Sequence, residues 1–245
     1  MKKSLFLILL LLAPALVFTE TLTIGTTREN PPFSSLGSDN NVFFGFDIDI
    51  MQEICHRINA TCKFVPFMFN NLFIAITSNK LDLAVSGITI TPYREQFYLF
   101  SLPYLRSSAQ FVTNKTSGIN KPDDLFNKRL GIRMGTPFLN LAIQMFGDQV
   151  KIVTFKSDDT QFACLSNDQC DAIVIDKFSA LTWVANSGGL YKLVGSPIQL
   201  GDGYGIMANL SRGPLIARIN QALLNMEGDG TYLKIYTQHF GQTKN

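Results

Sequence analysis

The sequence predicts an α/β protein built from two successive βαβ clusters. Three observations carry this. Short apolar strands alternate with amphipathic helices from Thr21 onward. The pattern restarts after Ser107. Polar residues, glycines and helix starts gather where strands end, which is where open parallel sheets bind ligands.

The first 19 residues are set aside. Lys2 and Lys3 precede the apolar run Leu5–Leu12, and Ala13-Pro14-Ala15 follows, the layout of a cleaved export signal (residues 1–19). No Cys follows the apolar run, so no lipid anchor is expected. The formal charge of +2 falls to zero without the two lysines, and a near-neutral chain is a poor nucleic-acid ligand. No later run has the length of a membrane span. Export also suits the four cysteines: Cys55 and Cys62 close a helix and open a strand, and Cys164 and Cys170 are similarly spaced, either pair being able to bridge or stay reduced. Two histidines, His56 and His239, lack partner clusters and are expected at the surface, so no metal site is expected.

In the first cluster, "TLTIGTT" is a strand and Asn30-Pro31-Pro32-Phe33 a turn. "FDIDIMQEICHRINA" is a helix, with Ile50, Ile54 and Ile58 on one stripe. "CKFVPF" is a strand, "NNLFIAITSNK" a helix and "LDLAVSG" a strand. Thr91-Pro92 then opens a helix as N-cap and first helical residue. In the second cluster, "AQFVTNK", "RLGIRMG", "KIVTF" and "CDAIVID" are strands. "KPDDLFNK", "TPFLNLAIQMFG", "DDTQFACLSN" and "KFSALTWVANSG" are helices. Strands "KLVGSPIQL" and "GYGIMANL" precede a helical ending broken at Gly228–Gly230.

Two loops have the chemistry of anion cradles. Ser86, Gly87 and Thr89 offer hydroxyls and backbone N–H groups beside a helix start. Arg94 sits in that helix's first turn, against the field of the N-terminus, so it needs a negative partner: Glu95, another acid, or a ligand carboxylate. "MGTPF" repeats the design with Thr136 as cap and Pro137 as first helical residue. Arg133 interrupts an apolar strand and points into a cleft or lies on an edge. Asp176 holds an ammonium group or caps the helix that follows it. No GxSxG, HExxH or Cys–His set is present.

The blocks "PPFSS", "GFDIDIMQEICHRI", "LDLAVSGITITPYREQFYLFSLPY", "GTPF", "CDAIVID" and "MEGDGTYLKIYTQHFG" resemble, in order, type II periplasmic solute-binding proteins that serve ABC importers of polar amino acids. The resemblance implies two α/β lobes, 20–107 plus 200–245 and 108–199, hinged near "SLPYLRSS" and "GSPIQL". It implies a monomeric, non-enzymatic periplasmic subunit without cofactor, delivering a free L-amino acid to an inner-membrane permease. A cyclohexadienyl-type dehydratase or a sensor module are the other uses of such a fold. By resemblance, Arg94 clamps the α-carboxylate with Thr89 and the backbone near Thr136. Ser86 or Gly87 and Asp176 hold the α-ammonium, Phe69 stacks on the side-chain stem, and Cys55–Cys62 is a disulfide. Thr27 and Asn30 stand where relatives often carry Asp and an aromatic, and Pro137 removes an N–H donor. Arg133 disfavours a cationic side chain unless an acid such as Glu29 offsets it. The arginine and glutamine branches both remain open.

Overall fold

The computed structural model describes residues 19–38 and 42–241; the expected export signal lies almost wholly outside them. In chain order the first cluster runs β1 (Glu20–Thr26), β2 (Glu29–Asn30), β3 (Ser34–Leu36), β4 (Phe43–Phe44), α1 (Phe46–Arg57), β5 (Ala60–Pro66), α2 (Phe69–Thr77), β6 (Leu83–Ala84), α3 (Pro92–Glu95) and β7 (Tyr98–Phe100). The second runs β8 (Ser108–Asn114), β9 (Arg129–Arg133), α4 (Phe138–Phe146), β10 (Lys151–Phe155), α5 (Asp158–Ser166), β11 (Ala172–Asp176), α6 (Lys177–Asn186) and β12 (Tyr191–Gln199). The chain then returns through β13 (Met207–Asn209), α7 (Gly213–Gly228) and α8 (Thr231–Phe240).

Two five-stranded sheets result, ordered β5-β1-β6-β13-β7 and β10-β9-β11-β8-β12. The strands joined by helices pair in parallel: β5 with β1, β1 with β6, β10 with β9, β9 with β11. The crossing strands add antiparallel pairings, β13 on β6 and β7, β8 on β11 and β12. Both faces of each sheet are covered. Phe46, Ile50 and Ile54 of α1 pack with α7 on one face of the first sheet, and Leu72 and Ile76 of α2 on the other. Phe138, Leu141 and Phe146 of α4 cover one face of the second sheet, and Phe162 and Ala180 of α5 and α6 the other. This two-sided burial explains why "AIVID" is a continuous apolar run, with all five residues buried, rather than an alternating one.

Several elements differ from the sequence expectation. The strand expected over 81–87 is only Leu83–Ala84, because the backbone leaves the sheet to carry Ser86–Thr91 into the cleft. The Pro-rich turn contributes to a small third sheet, β2-β3-β4. His239 is not a free surface residue: its Nε2 meets Asp49 at 2.6 Å and its ring packs on Phe46. Both cysteine pairs are bridged, Cys55–Cys62 and Cys164–Cys170. No helix among the described residues is long and apolar enough to cross a membrane.

Candidate functional site

The sheets face one another across a cleft floored by the crossovers, where Thr89 and Leu105 both bridge to Tyr204. The first sheet's side is a buried polar network. Thr27 Oγ1 shares hydrogen bonds with Ser86 Oγ (2.5 Å) and Ser34 Oγ (3.2 Å). Asn30 Nδ2 donates to the Ser86 carbonyl at 3.1 Å. Ser86 is thereby committed to its own lobe. Gly87 adopts φ 57°, open to glycine at little cost, and its N–H donates to Asp47 Oδ2 at 2.8 Å. Asp47 also accepts from Tyr104 Oη at 2.9 Å. Its complete burial nevertheless pushes its carboxyl up to about 7.

Arg94 is 6% exposed. Thr91 caps α3 as expected, accepting from Arg94 N at 3.3 Å. The guanidinium does not pair with Glu95. Nη1 donates to the Thr89 carbonyl (2.5 Å) and Nη2 crosses the cleft to the Gly135 carbonyl (2.9 Å). Among the described residues it has no salt-bridged carboxylate. Phe73 lies beneath it, 4.8 Å from ring centroid to guanidinium carbon. Burial lowers its pKa to about 10, with Asp176 opposing that shift. Gly135, at φ 81°, lets the lobes meet closely, since a Cβ there would lie 3.1 Å from Asn70 Cβ.

On the opposite side, the helix-cap expectations fail. Thr136 Oγ1 does not cap α4: it donates to the Arg133 carbonyl at 2.7 Å, and Pro137 takes the N-cap position. Asp176 occupies the N-cap of α6 but makes no side-chain cap bond. Its Oδ1 instead accepts from Tyr204 Oη at 2.6 Å. Burial raises its pKa, while Arg133, the Tyr204 bond and Arg94 pull it back. Ser179 of α6 donates to Asn30 Oδ1 at 3.2 Å, a further bond between lobes.

Arg133 faces the cleft interior, 2% exposed, and its guanidinium carbon lies 4.5 Å from the Phe69 ring centroid. The acid offsetting it is not Glu29. Asp158 Oδ1 stands 3.0 Å from Nη1, and Asp176 Oδ2 3.7 Å from Nη2. The Asp158 contact is of charges out of line for a hydrogen bond, for both its oxygens and Arg133 Nε lack hydrogen-bond partners among the described residues. Burial raises the Asp158 carboxyl to about 7 against the pull of Arg133. Glu29 lines the outer wall, its pKa raised by burial and by Asp159.

A cavity of about 370 Å³ opens beside this group, lined among others by Thr27, Glu29, Phe69, Arg133, Lys156 and Asp159. A larger one, about 640 Å³, lies behind the hinge around Arg106, Lys177, Phe178 and Tyr236, and holds none of the sequence-predicted residues. The smaller cavity has the convergent polar groups of a ligand site. The structure places Thr27, Phe69 and Arg133 on this cavity's wall and links Asn30, Ser86, Thr136 and Asp176 to that group, with Arg94 bonded to the Thr89 carbonyl and the Gly87 N–H to Asp47. It adds Asp47, Asp158 and Tyr204, which sequence reasoning missed. Asp158 had a signal, since it follows the apolar strand "KIVTF" as Asp176 ends "AIVID".

Residues 22–242 match the model of the bacterial extracellular solute-binding proteins, family 3. ABC transporter arginine-binding protein 1 of Escherichia coli (strain K12) is 32% identical over 91% of this chain and 92% of its own. The crystal structure of an arginine third-transport-system periplasmic binding protein from Legionella pneumophila is 40% identical, with TM-score 0.88 over 91% of this chain and 100% of that one. An ancestral arginine-binding protein bound to glutamine is 32% identical, with TM-score 0.85 over 92% of this chain and all of that one. These relatives are solute-binding proteins, not enzymes. The chain belongs to family 3 of the bacterial extracellular solute-binding proteins.

Proposed function

We propose that this protein captures a free polar L-amino acid between its lobes, 20–107 plus 200–245 and 108–199, and delivers it to the membrane permease of an ABC importer. It acts as a periplasmic monomer after loss of residues 1–19. The observation that carries this reading is the pairing of Arg94 and Asp176. A buried cation whose only hydrogen-bond acceptors among the described residues are carbonyls, Thr89 O and Gly135 O, stands across the cleft from a buried acid with one oxygen outside its tyrosine bond. That arrangement complements a zwitterion: carboxylate at Arg94, ammonium at Asp176 and the Gly87 carbonyl. Carboxylate binding exchanges weak neutral acceptors for a charge-assisted, bidentate partner. Thr89 and the backbone at Thr136 flank it, and the side chain runs over Phe69 into the cavity between Thr27, Asn30 and Arg133. The names of the relatives, which include arginine-binding proteins and one bound to glutamine, support an amino acid of that length.

A thermal-shift screen against the twenty amino acids, ornithine and citrulline tests the reading. A ligand at 100 times its Kd adds about 2.7 kcal/mol of stability. No shift with any of them would refute it.

A further inference from the structure

Arg133 places a fixed guanidinium at the inner end of the side-chain cavity. It lies over Phe69, pinned between Asp158 and Asp176. Its Nε is a buried donor without a partner among the described residues. Beside it, the two Asp158 oxygens and Gln161 Oε1 are buried acceptors without partners, although Gln161 Nε2 is held by the Gly131 and Val174 carbonyls at 2.9 and 2.7 Å. Buried polar atoms in native proteins are nearly always paired, so an unfilled donor just behind the cavity wall points to an acceptor that arrives when the lobes open and close again on a ligand. Formal charges lining and backing the cavity cancel: Arg28, Arg94, Arg133 and Lys156 against Glu29, Asp158, Asp159 and Asp176, and the ligand's own carboxylate and ammonium engage Arg94 and Asp176 equally. A guanidinium or ammonium side chain carries no acceptor for Nε and sets a cation beside Arg133. A carboxylate side chain accepts from Nε but brings an uncompensated charge to a balanced wall, and lacks the N–H donors that neighbouring carboxylates can take. A carboxamide or ureido group is neutral and has both.

We infer that the Arg133–Asp158 pair selects the ligand's side chain, and that the amino acid captured ends in a neutral amide-type group, a carboxamide or ureide, rather than a cation or an anion. This rests on the cleft being an amino-acid site. Asp158 is a positioning residue: it supplies the counter-charge that keeps Arg133 on the Phe69 face instead of drawn wholly to Asp176.

Calorimetry of glutamine, citrulline, glutamate, arginine and lysine on the ligand-free protein, on Arg133→Met and on Asp158→Asn tests the inference. The wild type should bind glutamine or citrulline at least tenfold tighter than the three charged ligands. Arg133→Met leaves Asp158 uncompensated and should raise the arginine-to-glutamine affinity ratio at least tenfold. Asp158→Asn leaves Arg133 in excess and should raise the glutamate-to-glutamine ratio by a similar factor. A merely structural pair would weaken all ligands alike. Wild-type preference for arginine, lysine or glutamate, or unchanged ranking in both variants, overturns the selector while leaving amino-acid capture intact. If none of the five binds and the broader screen is also blank, capture itself fails and the selector with it. Should either variant not fold, the wild-type ranking alone decides.

Discussion

Replacing Arg94 by Ala removes two things at once, and the structure allows each to be sized. The first is the clamp. Arg94 is 6% exposed, so a carboxylate bound there is largely desolvated. Truncating one partner of such a charge pair costs on the order of 2–5 kcal/mol, or about 30-fold to a few thousand-fold in Kd. The second is the strut from Nη2 to the Gly135 carbonyl, at 2.9 Å across the cleft. A hydrogen bond to a charged group contributes about 1.5–3 kcal/mol, and its loss disfavours the ligand-free closed form. The two losses act on different states, so they separate experimentally. Calorimetry on protein stripped of ligand by unfolding and refolding should show the weakened Kd, and small-angle scattering of the unliganded variant should show a more open average form. Arg94→Lys keeps the charge but not the fork, and its affinity should fall between the other two. Arg94→Ala binding within threefold of wild type, in a variant with a normal circular dichroism spectrum, refutes the assignment.

Tyr204→Phe frees Asp176 Oδ1 from its 2.6 Å bond and should weaken amino-acid binding about tenfold by stopped-flow fluorescence, since the acid is no longer oriented across the hinge. Asp47 has its pKa raised to about 7 by burial, so the folded state binds the proton that the unfolded chain releases near 4. Its contribution to stability is therefore greatest below the unfolded value and is lost as pH rises toward 7. Denaturant titrations of Asp47→Asn should show the variant gaining on the wild type across that interval; a constant difference from pH 4 to 7 argues against the shift. Replacing Cys55 and Cys62 together by Ala opens a loop with sequence separation 7. It should cost about 2–3 kcal/mol, about 4–10 °C in Tm for a chain of this size, with unchanged Kd.

The fold was legible because its signal is local. Two βαβ clusters announce themselves through apolar runs and the Ile50–Ile54–Ile58 stripe, and most helices and strands formed where periodicity put them, though "KPDDLFNK" yields only a 3-10 turn, Pro122–Leu125, and "GYGIMANL" only the strand Met207–Asn209. The ends of elements were less legible. Thr136 and Asp176 carry the right residue types to cap helices, yet each side chain has a stronger tertiary partner, the Arg133 carbonyl for one and Tyr204 for the other. Local propensity loses where the cleft makes a competing demand. Arg133 was visible as a cation in an apolar strand, but its pairing with Asp158 was not, although each residue follows or interrupts an apolar strand. Asp158 comes from the next helix but one, and only the parallel pairing of β9 with β10 brings its start beside the end of β9. Tyr204 gave no sequence signal, since its hydroxyl matters only because the chain doubles back through the crossover.

The two disulfides bear on transport through where they are not. Cys55 and Cys62 tie α1 to β5 within the first sheet's lobe, and Cys164 and Cys170 tie α5 to the approach to β11 within the second. Neither spans the crossovers at 101–107 and 200–206. In linkage terms each bridge stabilises the open and closed conformers equally, so both cancel from the equilibrium that ligand shifts. An oxidising compartment can therefore harden the lobes against unfolding while leaving the capture affinity, and the release that import requires, untouched.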